Sequence, residues 1–390
     1  MKEIGILETY CHVKFLYTLS RICKTEKSNV TIFTTKDIFS KMEIYIKNKS
    51  EYNIVLKKDN ESKHSFIKRV EKICNQKIDL LFVNTIQTTC LNFPHFFGFK
   101  PKCKMILTIH TANAWFNKKP VFSIKKIFRT IDTNLSSIII KTIILPKFNA
   151  INVIYYPIKE YILNNTDYKK KIFILPFELF DEKIDIKSSR KDNKILFVVP
   201  GQIEEHRRVY EEVLDAFEEL FKDFNKNIIL YILGFPVGIY GNKILKKCKK
   251  LEEKGYAIKY YDDFVPENIY TKIMKDIDII VSPIRIKSRG AGIITEIYGK
   301  TKGTAAVYEA IQYAKPLVIP NEFNIVAELE SSTLKYTDVK DLVNKLTKLI
   351  LNKEKIKKLK KEANINSKKF SLKVLQKYFI GEILEKLDEL

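Results

Sequence analysis

The residues best suited to chemistry lie in one stretch, Tyr298 to Phe323 (YGKTKGTAAVYEAIQYAKPLVIPNEF). A predicted helix begins after Gly303-Thr304, and backbone N–H groups at a helix start bind phosphate, with charge from Lys300 or Lys302. Glu309 lies about one and a half turns into that helix, among apolar residues. A carboxylate there is costly to bury unless it accepts hydrogen bonds, which two ribose hydroxyls would supply. The stretch predicts a nucleotide-phosphate site. The alternative is that Glu309 simply faces water.

A second candidate loop, VPGQIEEHRR, runs from Val199 to Arg208 after a predicted strand. Gly201 lets the backbone approach a ligand closely. Arg207 and Arg208 lie near the start of the next helix, where free N–H groups and the helix dipole favour an anion. We therefore expect this loop to hold an anion, the alternative being a solvated helix cap with two surface arginines.

Polar and aromatic residues also follow two strands of the first half. His110 ends one of these strands and would face a cleft, although a lone histidine is often a structural hydrogen-bonding group. Trp115, the only tryptophan, is either a stacking platform or part of the packing. Glu8 and His12 follow the first strand and are candidates for contacts with a second substrate.

Two other loops carry a weaker signal. The loop Pro283–Gly292 (PIRIKSRGAG) follows a strand and includes Arg285, so it could close over an anionic ligand. The turn Gly234–Gly238 could border a base or a sugar. Either could also be an ordinary loop.

The elements before these loops indicate how they are positioned. Apolar runs that read as strands alternate with amphipathic stretches, including Val13–Cys23 and Ser65–Cys74, which implies parallel sheets of βαβ units. The predicted strands are Ile4–Leu7, Val30–Phe33, Leu80–Val83, Met105–Ile109, Asn152–Tyr155, Lys194–Val199, Ile228–Leu233, Ala257–Tyr261, Ile277–Pro283 and Pro316–Pro320. The helices predicted in the second half include Lys243–Lys254, Asn268–Lys275 and Thr304–Tyr313.

The fold class is therefore α/β, with two Rossmann-like, doubly wound domains that face a cleft. We place the first domain at residues 1–180, a polar linker at 181–193, the second domain at 194–370 and an amphipathic C-terminal helix at 371–390. Ligands of such sheets bind outside the carboxyl ends of the strands, so the candidate loops should meet at the interface between the domains.

Composition narrows the class of protein. A chain of 390 residues with 45% hydrophobic residues can form two domain cores. The six cysteines show no metal-binding or disulfide pattern, so we expect no metal and a reducing cytoplasm. We expect no secretory leader, and no run approaches the roughly 18 apolar residues of a spanning helix. The protein is then soluble or lies on a membrane surface.

The formal net charge of +23 has an uneven distribution. Residues 101–150 contain nine lysines and arginines against one acid, Asp132. Such a patch suits an anionic partner such as a membrane face, a phosphorylated substrate or nucleic acid. Surface lysines are also often only solvated, and no nucleic-acid-binding motif is present, so we expect no nucleic-acid partner.

The second half resembles the retaining GT-B glycosyltransferases of the family-4 (group-1) type. The resemblance covers roughly residues 194–330 and rests on the order of four segments, supported in the first half by TIHTAN. The segments are KILFVVPGQIEEHRR, NIILYILG, YYDDFVPENIYTKIMKDIDIIVSPI and KGTAAVYEAIQYAKPLVIP. It implies that Glu309 binds the ribose of a nucleotide-sugar donor, and that Arg207, Lys302 and the Gly303-Thr304 amides hold its diphosphate.

The same resemblance implies that His110 contacts the donor sugar at the point of transfer, and that no cofactor or metal is needed. The family often has a further glutamate eight residues before the ribose-binding one. Thr301 occupies that position here, and Glu296 is nearby but out of register. We expect the C-terminal helix to pack back on the first domain, which would bind the acceptor.

The expected function is sugar transfer from a UDP- or GDP-sugar to a glycan or lipid-linked acceptor, in the synthesis of a cell-surface polysaccharide or glycoconjugate. We expect a cytoplasmic protein that can lie peripherally on the anionic inner face of the membrane. The alternatives are another GT-B enzyme, such as a nucleotide-sugar epimerase, and a non-catalytic GT-B-like binding partner.

Overall fold

The computed structural model describes residues 1–46, 49–117, 120–180, 182, 194–289 and 293–390. Apart from Glu182, the predicted linker at 181–193 lies outside these residues. Apart from a separate two-stranded sheet within residues 287–297, the described strands fall into one sheet formed by residues 2–174 and another formed by residues 195–336. The domain boundaries placed at residues 180, 194 and 370 remain predictions.

Within the described residues, the first sheet has seven parallel strands in the order β3-β2-β1-β4-β5-β6-β7. The strands are β1 (Lys2–Glu8), β2 (Ser28–Thr34), β3 (Asn53–Leu56), β4 (Leu80–Val83), β5 (Lys104–Ile109), β6 (Ala150–Val153) and β7 (Lys171–Ile174). The accompanying helices are α1 (Val13–Cys23), α2 (Lys36–Glu43), α3 (Lys63–Lys77), α4 (Pro94–Phe97), α5 (Ala112–Phe116), α6 (Ile127–Ile139) and α7 (Tyr156–Asn165). A π-helical turn, Ile140–Ile144, extends α6.

The second sheet has six parallel strands in the order β10-β9-β8-β11-β14-β15, again counted over the described ranges. Its strands are β8 (Ile195–Pro200), β9 (Ile228–Leu233), β10 (Ile258–Lys259), β11 (Ile279–Val281), β14 (Leu317–Pro320) and β15 (Thr333–Tyr336), and a small antiparallel pair joins β12 (Lys287–Ser288) to β13 (Glu296–Ile297). The helices are α8 (Tyr210–Phe224), α9 (Gly238–Glu253), α10 (Glu267–Asp276), α11 (Ala305–Gln312), α12 (Val339–Ile350), α13 (Lys353–Lys368) and α14 (Leu372–Tyr378).

Burial explains why the central strands are easily predicted. Every residue of β4 (LLFV) and β8 (ILFVVP) is buried, as expected of parallel strands covered on both faces. In both sheets the strand order reverses beside the first strand, between β1 and β4 and between β8 and β11. The loops after these strands therefore open on the crevice where open α/β sheets bind ligands.

The differences from the prediction lie mostly at the sheet edges. The edge strands β3, β7 and β15 are not predicted, and the edge strand β10 has two residues instead of the five predicted at Ala257–Tyr261. Edge strands are short and partly exposed, so their apolar pattern is weak. The strand predicted at Asn152–Tyr155 begins and ends two residues earlier, at Ala150–Val153.

The C-terminal segment packs on the first sheet, as predicted. It is α14 followed by a π-helical turn at Phe379–Leu384 and a short 3-10 turn, and not one uniform helix. The rings of Phe379 and Phe82 lie 6.3 Å apart, and the Gln376 amide donates to the carbonyls of Arg21 (3.0 Å) and Lys24 (2.6 Å). The last residues of the first half lie beside the residues that lead into this segment, because the Phe180 N–H donates to the Phe370 carbonyl at 3.1 Å.

This packing predicts that Phe379→Ala lowers the free energy of unfolding by about 3 kcal/mol, because the side chain is fully buried and its removal leaves a cavity. Urea denaturation followed by circular dichroism measures the change. The matched control is Val374→Ala on the same segment, where the side chain is 47% exposed and we expect a change below about 0.5 kcal/mol. Equal effects of the two substitutions would contradict this packing.

Candidate active site

A cavity of about 450 Å³ lies between the two halves of the molecule, at the carboxyl ends of the strands. Eight of the predicted site residues line it: His12, His110, Trp115, Arg207, Arg208, Lys302, Gly303 and Thr304. The structure thus brings together residues that are up to 292 positions apart in the sequence. It also adds residues that the sequence did not indicate, among them Tyr10, Phe177, Tyr298 and Tyr308.

The wall formed by the first half is a stacked pair of histidines. The His12 and His110 ring centroids lie 3.9 Å apart, and Phe177 meets both rings edge-on. The Nε2 atom of His110 lies 3.0 Å from the carbonyl oxygen of Asn84, so Nε2 carries the hydrogen and Nδ1 is an acceptor. That Nδ1 is shielded from solvent and has no partner among the described residues.

Both histidines are neutral near pH 7. Burial lowers the pKa of His110 well below its ordinary value, and His12 adds to the lowering. Burial, and then the charge of Lys302, lower the pKa of His12 to about 4. A neutral His110 with a free Nδ1 acceptor suits a hydrogen bond from a ligand hydroxyl.

The wall formed by the second half is the start of α11. Lys302, Gly303 and Thr304 precede its first residue, Ala305, and line the cavity. Gly303 has no room for a side chain, since a Cβ atom built there would lie 1.8 Å from the Tyr308 hydroxyl oxygen. That hydroxyl is buried and, within the described ranges, has no hydrogen-bond partner. A free helix start and a lysine at one place suit an anion.

The two arginines differ in their surroundings. Arg208 is only 6% exposed and packs against Gly201, whose φ of 95° and close contact both require glycine. One guanidinium nitrogen of Arg208 donates to the Gln202 carbonyl at 3.2 Å, while its buried Nε has no partner in the described part of the chain. Arg207 is more exposed and pairs with Glu204 at 2.8 Å. Gly201 does not line the cavity, but its missing side chain leaves the space in which the Arg208 guanidinium lies.

Glu309 lies on α11 beside the cavity without lining it. One carboxylate oxygen accepts a hydrogen bond from the Tyr270 hydroxyl. The other is shielded from solvent and has no partner among the residues described. Burial raises the pKa of Glu309, while the Tyr270 hydroxyl and the charges of Lys14 and Arg208 oppose that shift. The contact of Glu309 with a ribose therefore remains a prediction: the carboxylate has an unused acceptor oxygen but does not line the cavity.

Three predicted contact residues lie elsewhere. Glu8 is fully buried and accepts hydrogen bonds from Asn84 (2.7 Å) and Thr85 (2.6 Å), so it holds two post-strand loops together. The Thr301 hydroxyl is also buried and accepts the Ile297 N–H at 2.7 Å. Arg285 is exposed and donates to the Glu205 carbonyl at 3.0 Å. None of these three lines the cavity, so their proposed contacts with acceptor or sugar gain no support from the geometry.

Glu296, out of register in the sequence, joins the two halves. Its carboxylate accepts the Ala114 N–H at 2.9 Å and the Asn113 N–H at 3.3 Å, both in the first turn of α5. Beside it, the Ala112 N–H donates to the Thr301 carbonyl at 2.8 Å. Trp115 is on the same helix, so these bonds fix one edge of the cavity. A single glutamate in a two-residue strand gives no sequence signal for such a contact.

Glu296 also predicts a pH dependence of stability. Burial raises its pKa from an ordinary value of 4.5 to about 7, so the folded chain binds this proton more tightly than the unfolded chain. The resulting stability is present below about pH 4.5 and is lost as the pH rises through about 7. Since Glu296→Gln stays neutral, the stability of wild type relative to this variant should fall by about 3 kcal/mol from pH 4.5 to 8. Urea unfolding at both pH values measures it.

The exposed Glu253→Gln, on α9, is the control and should follow wild type at both pH values. A wild-type minus Glu296→Gln difference that does not change with pH would contradict a carboxyl group that titrates near neutrality.

Among the described residues, no group of three or more histidine, cysteine, aspartate or glutamate side chains is placed to hold a metal ion. Within the same ranges, no helix combines the length and the apolarity needed to cross a bilayer.

No protein-family model and no curated protein sequence matches this chain. Its structure does resemble solved ones. HepE of Anabaena in complex with UDP superposes with a TM-score of 0.64 at 12% identity, with 100% of both chains covered. Sucrose-phosphate synthase from Thermosynechococcus elongatus gives 0.65 at 10% identity, also over 100% of both chains. UDP-GlcNAc 2-epimerase from Neisseria meningitidis, bound to UDP-GlcNAc, gives 0.56 at 13%, covering 99% of this chain and 100% of that one.

The fold is therefore GT-B: two Rossmann-like parallel sheets with helices on their faces and a cavity between them. This confirms the predicted fold class and the resemblance to GT-B glycosyltransferases at the level of the fold.

Proposed function

We propose that the protein is a glycosyltransferase of the hexosyltransferase type that uses a UDP- or GDP-sugar donor and retains the anomeric configuration. One observation carries the proposal: cations, helix-start amides and a free histidine acceptor converge on one cavity between the halves. Arg208 and Lys302 come from the second half and His110 from the first. This is the arrangement needed to hold a diphosphate at one end and a sugar at the other.

The residues account for the chemistry of transfer. The bond from the sugar C1 to the diphosphate oxygen breaks, and its electron pair leaves with the nucleoside diphosphate. A new bond forms between C1 and the acceptor oxygen on the face that the diphosphate leaves, and the acceptor proton passes to the leaving diphosphate oxygen. Arg207, Arg208, Lys302 and the amides of Gly303 and Thr304 stabilise the charge that develops on the leaving diphosphate. In this proposal, Nδ1 of His110 accepts a hydrogen bond from a sugar hydroxyl.

The comparisons support a nucleotide-sugar ligand without identifying the reaction. HepE was solved with UDP, and the Neisseria epimerase with UDP-GlcNAc. Since an epimerase shares the fold, a nucleotide-sugar 2-epimerase is the second candidate. A non-catalytic binding partner is the third, favoured by Thr301 at the position of the family's first glutamate.

Titration with UDP, GDP and a duplex oligonucleotide, followed by product analysis with a panel of nucleotide sugars, tests the proposal. We expect UDP or GDP to bind and the oligonucleotide not to bind. We expect the sugar to appear on an added glycan or lipid-linked acceptor. Release of a 2-epimer without transfer would favour the epimerase, and nucleotide binding without turnover would favour the binding partner. Oligonucleotide binding in the absence of nucleotide binding would refute the proposal.

We further infer that α6 places the cytoplasmic protein on an anionic membrane face, where it would meet a lipid-linked acceptor of polysaccharide or glycoconjugate synthesis. The apolar side chains on and just before α6 point to solvent instead of a core. Phe128 is 84% exposed, Ile124 79% and Phe122 77%, with Lys126 and Arg129 among them. Exposed aromatic and aliphatic groups interleaved with cations suit the interface of an anionic bilayer.

This inference predicts that wild type floats with vesicles containing phosphatidylglycerol, and that Ile124→Glu/Phe128→Glu floats at least about tenfold less, because it replaces inserted apolar area with charge. Flotation on a density gradient measures binding. The control is Ile239→Glu on α9, where the side chain is 92% exposed in the other half. Equal flotation with neutral phosphatidylcholine vesicles would count against an anionic surface.

A further inference from the structure

A second cavity, of about 390 Å³, lies beside the first. Thr111 and Lys302 line both cavities and pair with each other across the two halves. The second cavity is bounded by α6 on one side and by residues around β12 and β13 on the other. An occupant of this cavity would therefore lie next to the proposed donor, separated from it by the wall that Thr111 and Lys302 form.

The second cavity is rich in positive charge. Arg129, Arg289 and Lys302 line it, and two acids, Asp132 and Glu296, face them. Asp132 accepts the Cys90 N–H at 2.8 Å and Glu296 accepts the two amides of α5, bonds that orient the two carboxylates without removing their charge. Three cations against two acids leave the lining with a net positive charge, which favours an anionic occupant.

The kinds of cation that line the second cavity indicate which class of anion it would bind. Two of the three are arginines, whose planar guanidinium groups bind phosphate oxygens in pairs. Hydroxyl groups that can donate to further oxygens, such as those of Thr88 and Thr133, line the same cavity. The exposed apolar face of α6 continues from its edge, with Ile127 and Phe128 next to Arg129 in the sequence.

We propose that this second cavity binds a phosphate or diphosphate group carried by the acceptor, through Arg129, Arg289 and Lys302. This inference rests on the proposed glycosyltransferase function and gives the acceptor's chemical class. The group could belong to a prenyl-linked acceptor, with its chain along α6, or to a soluble sugar phosphate. The bound phosphate group would hold the acceptor beside the wall formed by Thr111 and Lys302. The acceptor's hydroxyl group would then extend beyond this wall to the donor.

Calorimetric titration of the full chain with three probes tests the inference: farnesyl diphosphate, inorganic pyrophosphate and farnesol. Each titration is done with and without saturating UDP. We expect farnesyl diphosphate to bind in the presence of UDP and farnesol not to bind. Arg129→Ala/Arg289→Ala should weaken binding of farnesyl diphosphate by at least about tenfold and change UDP affinity by less than about twofold. Pyrophosphate binding as tight as that of farnesyl diphosphate identifies a soluble acceptor, and weaker binding identifies a prenyl-linked one.

The matched control is Lys353→Ala/Lys358→Ala, which removes two positive charges from exposed positions on α13 and should behave as wild type. Three results would overturn the inference: displacement of farnesyl diphosphate by UDP, unchanged binding in the arginine variant, or farnesol binding as tightly as farnesyl diphosphate. UDP binding in wild type is a separate readout. UDP binding without probe binding refutes only the second cavity, whereas probe binding without nucleotide binding refutes the proposed donor.

Discussion

Glu309→Ala is expected to weaken UDP binding by about 100-fold, or about 2.7 kcal/mol. The reason is that one oxygen of this carboxylate is held by Tyr270 while the other is shielded and has no partner in the described part of the chain. Two ribose hydroxyls donating to this carboxyl group would form two hydrogen bonds, each contributing roughly 1–1.5 kcal/mol. Calorimetric titration with UDP measures the loss.

Two variants separate ribose binding from support of the fold. Glu309→Gln keeps the shape and one acceptor oxygen, so we expect a loss of about tenfold. Tyr270→Phe keeps the carboxylate and removes only the group that orients it, so we expect at most a few-fold loss. If Glu309→Ala kept full UDP affinity while remaining folded by circular dichroism, the ribose assignment would be wrong. If Tyr270→Phe alone reproduced the whole effect, Glu309 would be a structural partner of Tyr270.

Gly303→Ala should disable the same site from its other end. The new methyl group would lie 1.8 Å from the Tyr308 hydroxyl oxygen, well inside contact distance, so the loop before α11 must move. Such overpacking costs roughly 1–3 kcal/mol of stability. We expect UDP affinity to fall by at least about 30-fold, because the amides that would hold the diphosphate are displaced. UDP titration and urea denaturation measure the two effects.

The new methyl group at position 303 would collide mainly with Tyr308, which allows a rescue experiment. Tyr308→Phe removes the hydroxyl at 1.8 Å and leaves the ring atom that bore it at 2.9 Å, so the double variant should regain part of the lost stability and affinity. The single variant Tyr308→Phe is the control. It removes a hydroxyl that lacks a partner within the described ranges and should not destabilise the fold. A double variant no better than Gly303→Ala would place the strain elsewhere.

The site residues that could be predicted from the sequence are those that have a suitable residue type and also directly follow a predicted strand. A glycine and cations after a strand, or a histidine at a strand end, can be placed at the crevice because parallel strands share one carboxyl edge. For this reason Arg208, Lys302 and His110 could be assigned to one cavity before their distances were known. The central strands were predictable for a similar reason, since full burial makes an uninterrupted apolar run.

The other features of the site depend on the directions of side chains and on contacts between residues far apart in the sequence. Tyr308 occupies an apolar position of α11, so nothing in the sequence shows that its hydroxyl reaches Gly303. Glu8 has the position of a ligand contact, yet its carboxylate turns inward to Asn84 and Thr85. Glu296 gains its role only from α5, which precedes it by more than 180 residues. Sequence patterns report neighbours along one element and say little about such partners.

The packing of the C-terminal segment also bears on the order in which the molecule can fold. Residues 195–336, which form the whole second sheet, lie in the chain between the strands of the first sheet and the C-terminal segment that packs on that sheet. The Phe180–Phe370 hydrogen bond joins the two ends of this insertion. The second half is thus inserted into the chain of the first, and the first half completes its packing only after the last residues of the chain have been synthesised.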